Sequence, residues 1–93
     1  MKIYLVATIK DVDSLESRTV GYAETLEEAQ SWVERNACDI FECYYRYAVI
    51  EDVGPGIYAA TEATSIWYEW IDGKYTRIEK PKELEHVICF TIG

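Results

Sequence analysis

Apolar positions change their spacing several times along this chain, and the changes mark its elements. Over residues 25–37 they step by three and four: Leu26, Ala29, Val33 and Ala37, with Ile40 next in line and Trp32 on the flank. That spacing gathers them on one stripe of an amphipathic α-helix and leaves Glu27, Ser31, Glu34 and Arg35 on or beside the opposite face. Thr25 supplies an N-cap hydroxyl, and Glu28, three residues on, can reach back to the Thr25 amide in the reciprocal arrangement of a capping box. Glu27 and Glu28 suit the positive end of the helix dipole and Arg35 the negative end. Asn36 reads as a left-handed stop, after which a short further helical turn is expected over 39–43. A helix this short is marginal alone in water, so its stripe is expected to pack on a sheet.

The other apolar runs are strand-like. Residues 2–9 carry apolar side chains on both faces, with Ile3, Leu5, Ala7 and Ile9 against Tyr4 and Val6, the pattern of a strand inside a sheet. Residues 18–23 read as a second strand running into the helix cap. Residues 44–50 are aromatic and β-branched and predict another central strand, ended by Glu51 and Asp52. Gly54-Pro55-Gly56 is the strongest breaker, followed by a short strand over 57–60 and an undecided stretch over 61–64. Residues 65–71 and 74–78 flank Asp72-Gly73, the pair that a type I′ hairpin turn requires. A two-residue loop sets Trp70 opposite Tyr75, Tyr68 opposite Arg77 and Ile66 opposite Glu79 on one face, with Trp67 opposite Ile78 on the other. Pro81 suits the first position of a single helical turn, and 87–92 read as an apolar closing strand. The sum is one α+β domain over residues 1–93: a mostly antiparallel sheet of about five or six strands in β-β-α-β-β-β-β order, with one main amphipathic helix packed on one face.

Length and charge narrow the function. A 93-residue chain makes one domain that buries roughly 60 to 65 % of its unfolded surface. No apolar run reaches the ~20 residues of a membrane span, and the N-terminal strand is too short for a signal peptide, so the cytoplasm is the expected compartment. Three cysteines, Cys38, Cys43 and Cys89, fit a reducing compartment, and free, mostly buried thiols are expected. A net charge of −8 argues against direct binding to nucleic acid and favours a protein partner with a basic surface.

Catalytic and metal chemistry find little footing. Cys38, Cys43, His86 and Cys89 have the right atoms for zinc, but five residues on a helix turn the direction by about 140°, and His86 and Cys89 point to opposite faces of a regular strand. His86 is the only histidine and has no nucleophile at a familiar spacing. The paired acids Glu27-Glu28, Glu51-Asp52 and Glu83 with Glu85 sit at element ends, where carboxylates serve as caps and solvated charge. Gly54-Pro55-Gly56 lacks the lysine and the spacing of a phosphate loop. The expectation is therefore a protein that is not an enzyme and holds no metal or cofactor. Two features remain as binding candidates. One is the hairpin face of Tyr68, Trp70 and Tyr75 with Arg77 over a ring, residue types that dominate protein-binding hot spots. The other is distributed acidity, including Glu27, Glu28 and Glu34 of the helix, which can imitate a line of phosphates and occupy a basic groove.

The stretch Gly21-Tyr22-Ala23-Glu24-Thr25-Leu26-Glu27-Glu28-Ala29, the strand Tyr44-Tyr45-Arg46-Tyr47-Ala48-Val49-Ile50-Glu51, the tryptophan-rich hairpin and the Cys89-Phe90-Thr91-Ile92-Gly93 end resemble small uncharacterised proteins of Gram-positive bacteria and their phages. The resemblance covers nearly the whole chain, implies no activity and transfers no functional residue. In small size and acidity the chain is also similar to phage-encoded inhibitors such as anti-CRISPR proteins, a likeness of character and not of motif. The expected function is an acidic protein-binding module that occludes a basic nucleic-acid-binding surface; the alternatives are a self-associating structural module that forms a homodimer, and a small-ligand binder with a pocket between helix and sheet lined by tyrosine, Trp32 and a few polar groups.

Overall fold

A computed structural model describes residues 3–14, 16–42, 44–53 and 65–85. Among the described residues the architecture is α+β: five antiparallel strands in the order β2-β1-β3-β4-β5, with one α-helix packed on one face. The strands are β1 (Ile3–Ile9), β2 (Ser17–Ala23), β3 (Tyr47–Val53), β4 (Ser65–Ile71) and β5 (Lys74–Ile78), and the helix is α1 (Leu26–Glu34). The expected strands over 57–60 and 87–92, the Gly54-Pro55-Gly56 breaker, Cys43, His86 and Cys89 lie outside the described residues.

Local chemistry sets the two firmest elements. The Thr25 hydroxyl accepts from the Glu28 amide at 3.2 Å, which opens α1 with one orphan donor satisfied. At the other end Asn36 takes the left-handed conformation that stops the helix. Asp72 and Gly73 both have positive φ, as the type I′ turn demands, and the register has Trp70 opposite Tyr75, Tyr68 opposite Arg77 and Trp67 opposite Ile78.

Strand β3 departs from the sequence pattern at both ends. Residues 44–50 predict the strand, yet it runs from Tyr47 to Val53, and Glu51 and Asp52 lie inside it. The cause is its neighbour: β1 extends to Ile3 and keeps the ladder going through Leu5 with Glu51, Tyr4 with Asp52 and Ile3 with Val53. Tyr44 and Tyr45 are meanwhile captured by the preceding loop, where both amides donate to the Phe41 carbonyl. Of the helical turn expected over 39–43, the described residues show instead a short 3-10 turn over Ala37–Asp39, in which Cys38 and Asp39 have positive φ. Pro81 stands one place before the 3-10 turn Lys82–Leu84, not in its first position.

Strand alternation divides the core into two layers. Toward α1 the sheet presents Val6, Ala23, Ala48, Ile50, Tyr68 and Tyr75, which cluster with Ala29 and Val33 of the helix. Three of these are alanines, so the helix backbone sits close to the sheet and the large side chains fill the flanks. On the opposite face Ala7, Ile9, Tyr47, Val49 and Trp67 cluster with Leu84 from the turn after β5. β3 is buried at every position but Asp52, as its place between β1 and β4 requires.

Two substitutions test this account by urea unfolding. Thr25→Ala is expected to lower stability by about 1 kcal/mol through loss of the cap. Gly73→Val is expected to cost roughly 1–2 kcal/mol, because a side chain must then adopt positive φ. Unchanged midpoints would show that neither local device contributes to stability.

Candidate functional site

The hairpin aromatics turn inward. Tyr68 is 1 % exposed and Tyr75 3 %, and each spends its hydroxyl inside the fold: Tyr75 donates to the Tyr45 carbonyl at 2.7 Å and Tyr68 to Glu34 at 3.2 Å. Trp70 is half-buried and stacked on Phe41, with ring centroids 3.9 Å apart and planes within 7°. These three rings therefore serve the core and are not available as a docking face. The physical reason is Phe41, which arrives from a distant loop to cover the ring that the hairpin alone would expose. Arg77 is exposed, and the rings that carry cations lie elsewhere: Arg18 over Tyr45, Arg46 over Tyr47 and Lys10 over Tyr44. Of the helix acids, Glu27 and Glu28 are exposed in the first turn, while Glu34 is partly engaged by Tyr68.

A concave site forms instead where the end of α1 meets β1 and β2. In the β1–β2 ladder Val6 pairs with Gly21 and Ala7 with Thr19, so Val20 is an extra residue in a β-bulge. The bulge leaves Gly21 opposite Val6, and a Cβ built on Gly21 would meet nothing within 4 Å. Without a side chain at that point the sheet has a gap under Trp32. The result is a cavity of about 550 Å³ lined by Val6, Val20, Gly21, Tyr22, Trp32, Arg35, Ala37, Cys38 and Ile40. Its walls are almost wholly apolar; the charged exception is Arg35.

The far wall is held by unusual backbone. Asn36, Cys38, Asp39 and Glu42 all have positive φ, a conformation that costs a non-glycine residue about 1–2 kcal/mol. Side chains hold it in place. Asn36 donates to Asp39 at 3.2 Å and accepts from the Phe41 amide at 3.0 Å. From β2, Arg18 donates to the Ile40 carbonyl at 2.9 Å, pairs with Glu42 at 2.8 Å and reaches Thr8 at 3.3 Å. The hydrogen bond to Glu42 raises the Arg18 pKa above its ordinary value, against the opposing effect of burial. Cys38 stands on this wall and is exposed, contrary to the buried thiol expected from composition, because the left-handed turn carries it to the cavity rim.

A space between helix and sheet beside Trp32 and a tyrosine is only the third of the sequence's readings, behind an acidic docking surface, and that reading does not include what makes the space. The signal was present as Gly21, since a glycine inside a strand pattern marks a bulge or a close approach. Among the described residues no three of His, Cys, Asp and Glu converge where a metal ion could sit, and no helix is long and apolar enough to cross a membrane. Comparison with family models, with curated proteins and with solved structures yields no match.

The buried tyrosines give a pH test. Burial, then the charge of Glu34, pushes the Tyr68 pKa up to about 12, and burial raises that of Tyr75 as well. Tyrosines of the unfolded chain ionise near pH ~10. Between these values the unfolded chain has released protons that the folded chain keeps, so stability is complete below pH ~10 and falls as pH rises toward ~12. Urea midpoints measured across that window should decline, and Tyr68→Phe should make the decline shallower. A midpoint independent of alkaline pH would contradict the burial of both phenols.

Proposed function

We propose that this protein is a non-enzymatic binding module whose site is the cavity between α1 and the β1–β2 hairpin. The observation that carries the reading is Gly21. A strand position on the helix side of a small domain is left without a side chain and opens onto space. The volume of about 550 Å³ falls within the ~300 to 1,000 Å³ of ligand pockets. Apolar walls with one charged group at the rim are the usual composition of such pockets. Its floor is the β1–β2 ladder, and its far wall is the 36–42 loop held by Arg18 and Asn36.

A second reading has its own observation. Glu24, Glu27 and Glu28 are exposed and form no ion pair among the described residues, whereas Asp11, Glu42 and Glu69 are paired with Arg46 and Arg18. The unpaired acids supply a surface that can dock on a basic groove of another protein and exclude nucleic acid from it. An arginine-rich peptide then binds with an affinity that falls as salt rises, and Glu27→Gln with Glu28→Gln reduces that salt dependence; a salt-independent affinity would sink this reading.

The cavity reading is tested by filling it. Gly21→Leu places apolar atoms where nothing stands, on backbone of ordinary strand conformation, so stability is expected to hold or rise by about 1 kcal/mol. Naphthalene-sized probes are expected to shift the methyl resonances of Val6, Val20 and Ile40 in the native chain and to lose that effect in Gly21→Leu. Probe shifts that survive the substitution, or that fall elsewhere, would remove the cavity from consideration.

A further inference from the structure

Resting on the cavity reading, we infer that the ligand is a small hydrophobic anion, an apolar body bearing a carboxylate that Arg35 receives. Arg35 is the only charged side chain among the residues that line the cavity. Its companions are aliphatic or aromatic, with the Tyr22 hydroxyl and the Cys38 thiol as the polar remainder. No carboxylate lines the cavity, so a cationic ligand would find no counter-charge there.

Two of the other three arginines are engaged, and the third, Arg77, is exposed and unpaired among the described residues but stands beside Glu34 and Lys74 rather than on this cavity. Arg46 is held by Glu69 at 2.7 Å and by Asp11 at 3.2 Å, and Arg18 by Glu42 at 2.8 Å. Arg35 makes no ion pair with any described residue, although the chain carries 17 acids against 9 lysines and arginines. The nearest acid in sequence, Glu34, accepts from the Tyr68 hydroxyl. Glu27, which shares the outer helix face with Arg35, lies eight residues back, roughly 12 Å along the axis. The Arg35 amide bonds the Ser31 carbonyl as the helix cap, so the base of the side chain is fixed while its guanidinium stays exposed and open to a ligand. A planar guanidinium with free donors suits the two oxygens of a carboxylate, which it can bind in parallel.

A net charge of −8 does not overturn this. Screening reduces fields from acids beyond about 10 Å at 0.1 M salt, whereas a contact pair at the cavity mouth, beside apolar walls, is screened far less. The acidic surface instead slows the approach of anions in general and leaves selection to the contact with Arg35 beside the apolar walls.

Three probes with the same rings and different charge decide the matter: naphthoate, naphthylmethanol and naphthylmethylammonium, titrated against the intact chain by calorimetry with methyl chemical shifts as the site readout. Naphthoate is expected to bind roughly tenfold tighter than the alcohol, a difference of about 1.4 kcal/mol, with the ammonium weakest. Arg35→Gln is expected to erase the preference for naphthoate while leaving the alcohol's affinity within about twofold, and Arg35→Lys to restore part of it. Equal binding of the acid and the alcohol would overturn the anion inference and leave the cavity reading standing. Failure of all three probes to bind would sink the cavity reading itself. A light-scattering mass of two chains, with the Val20 and Ile40 methyls protected, would overturn the inference in favour of a second copy covering the trough.

Discussion

Arg18 leaves β2 on the helix side of the sheet and ends against three separate parts of the chain. It meets the Ile40 carbonyl and the Glu42 carboxylate of the loop after α1, the Thr8 hydroxyl of β1, and the face of Tyr45. The ion pair alone is partly solvated and worth at most about 1 kcal/mol. The charged hydrogen bond to a backbone carbonyl contributes more, about 1.5–3 kcal/mol. Together these contacts oppose the local cost of four left-handed residues between Asn36 and Glu42. Without them that loop has ready alternatives, and the cavity loses its far wall. Phe41 works from the same loop, stacking on Trp70 and so tying it to the other end of the sheet.

The charges are arranged unevenly. Near the loops joining β1 to β2 and α1 to β3, arginines lie on tyrosine rings and hold carboxylates, so that end is a neutralised network. The start of α1 carries unpaired acids whose local role is to complement the helix dipole. The cavity lies at the opposite end of α1, by the 36–42 loop, with Arg35 as the one charged residue of its lining.

Elements governed by short-range chemistry were legible in the sequence. Thr25 with Glu28 announced α1, Asp72-Gly73 fixed the hairpin register, and the two-sided apolar run of β1 announced a strand inside the sheet. What depended on partners from far along the chain was not. The limits of β3 follow the length of β1, its neighbour across the ladder. The burial of Tyr68, Trp70 and Tyr75 required Phe41 and Glu34, which no local pattern assigns to them. The candidate site needed Gly21 and Trp32 to face each other across a gap, and a glycine in a strand tells where a side chain is missing without telling what stands opposite.

The strand order has an entropic corollary. β1 pairs with β2 across a short loop, and β4 with β5 across a two-residue turn, so both hairpins close at small entropic cost. The β1–β3 ladder, from Ile3 with Val53 to Ile9 with Tyr47, joins residues nearly half the chain apart. Forming that seam carries a larger loop-closure cost than either hairpin, since the chain between must first be brought into a closed loop. The cavity lies over β1 and β2 on one side of the seam, and its far wall is the chain that leads from α1 into β3 on the other. Its shape thus depends on the β1–β3 ladder, which joins the two parts of the chain that enclose it.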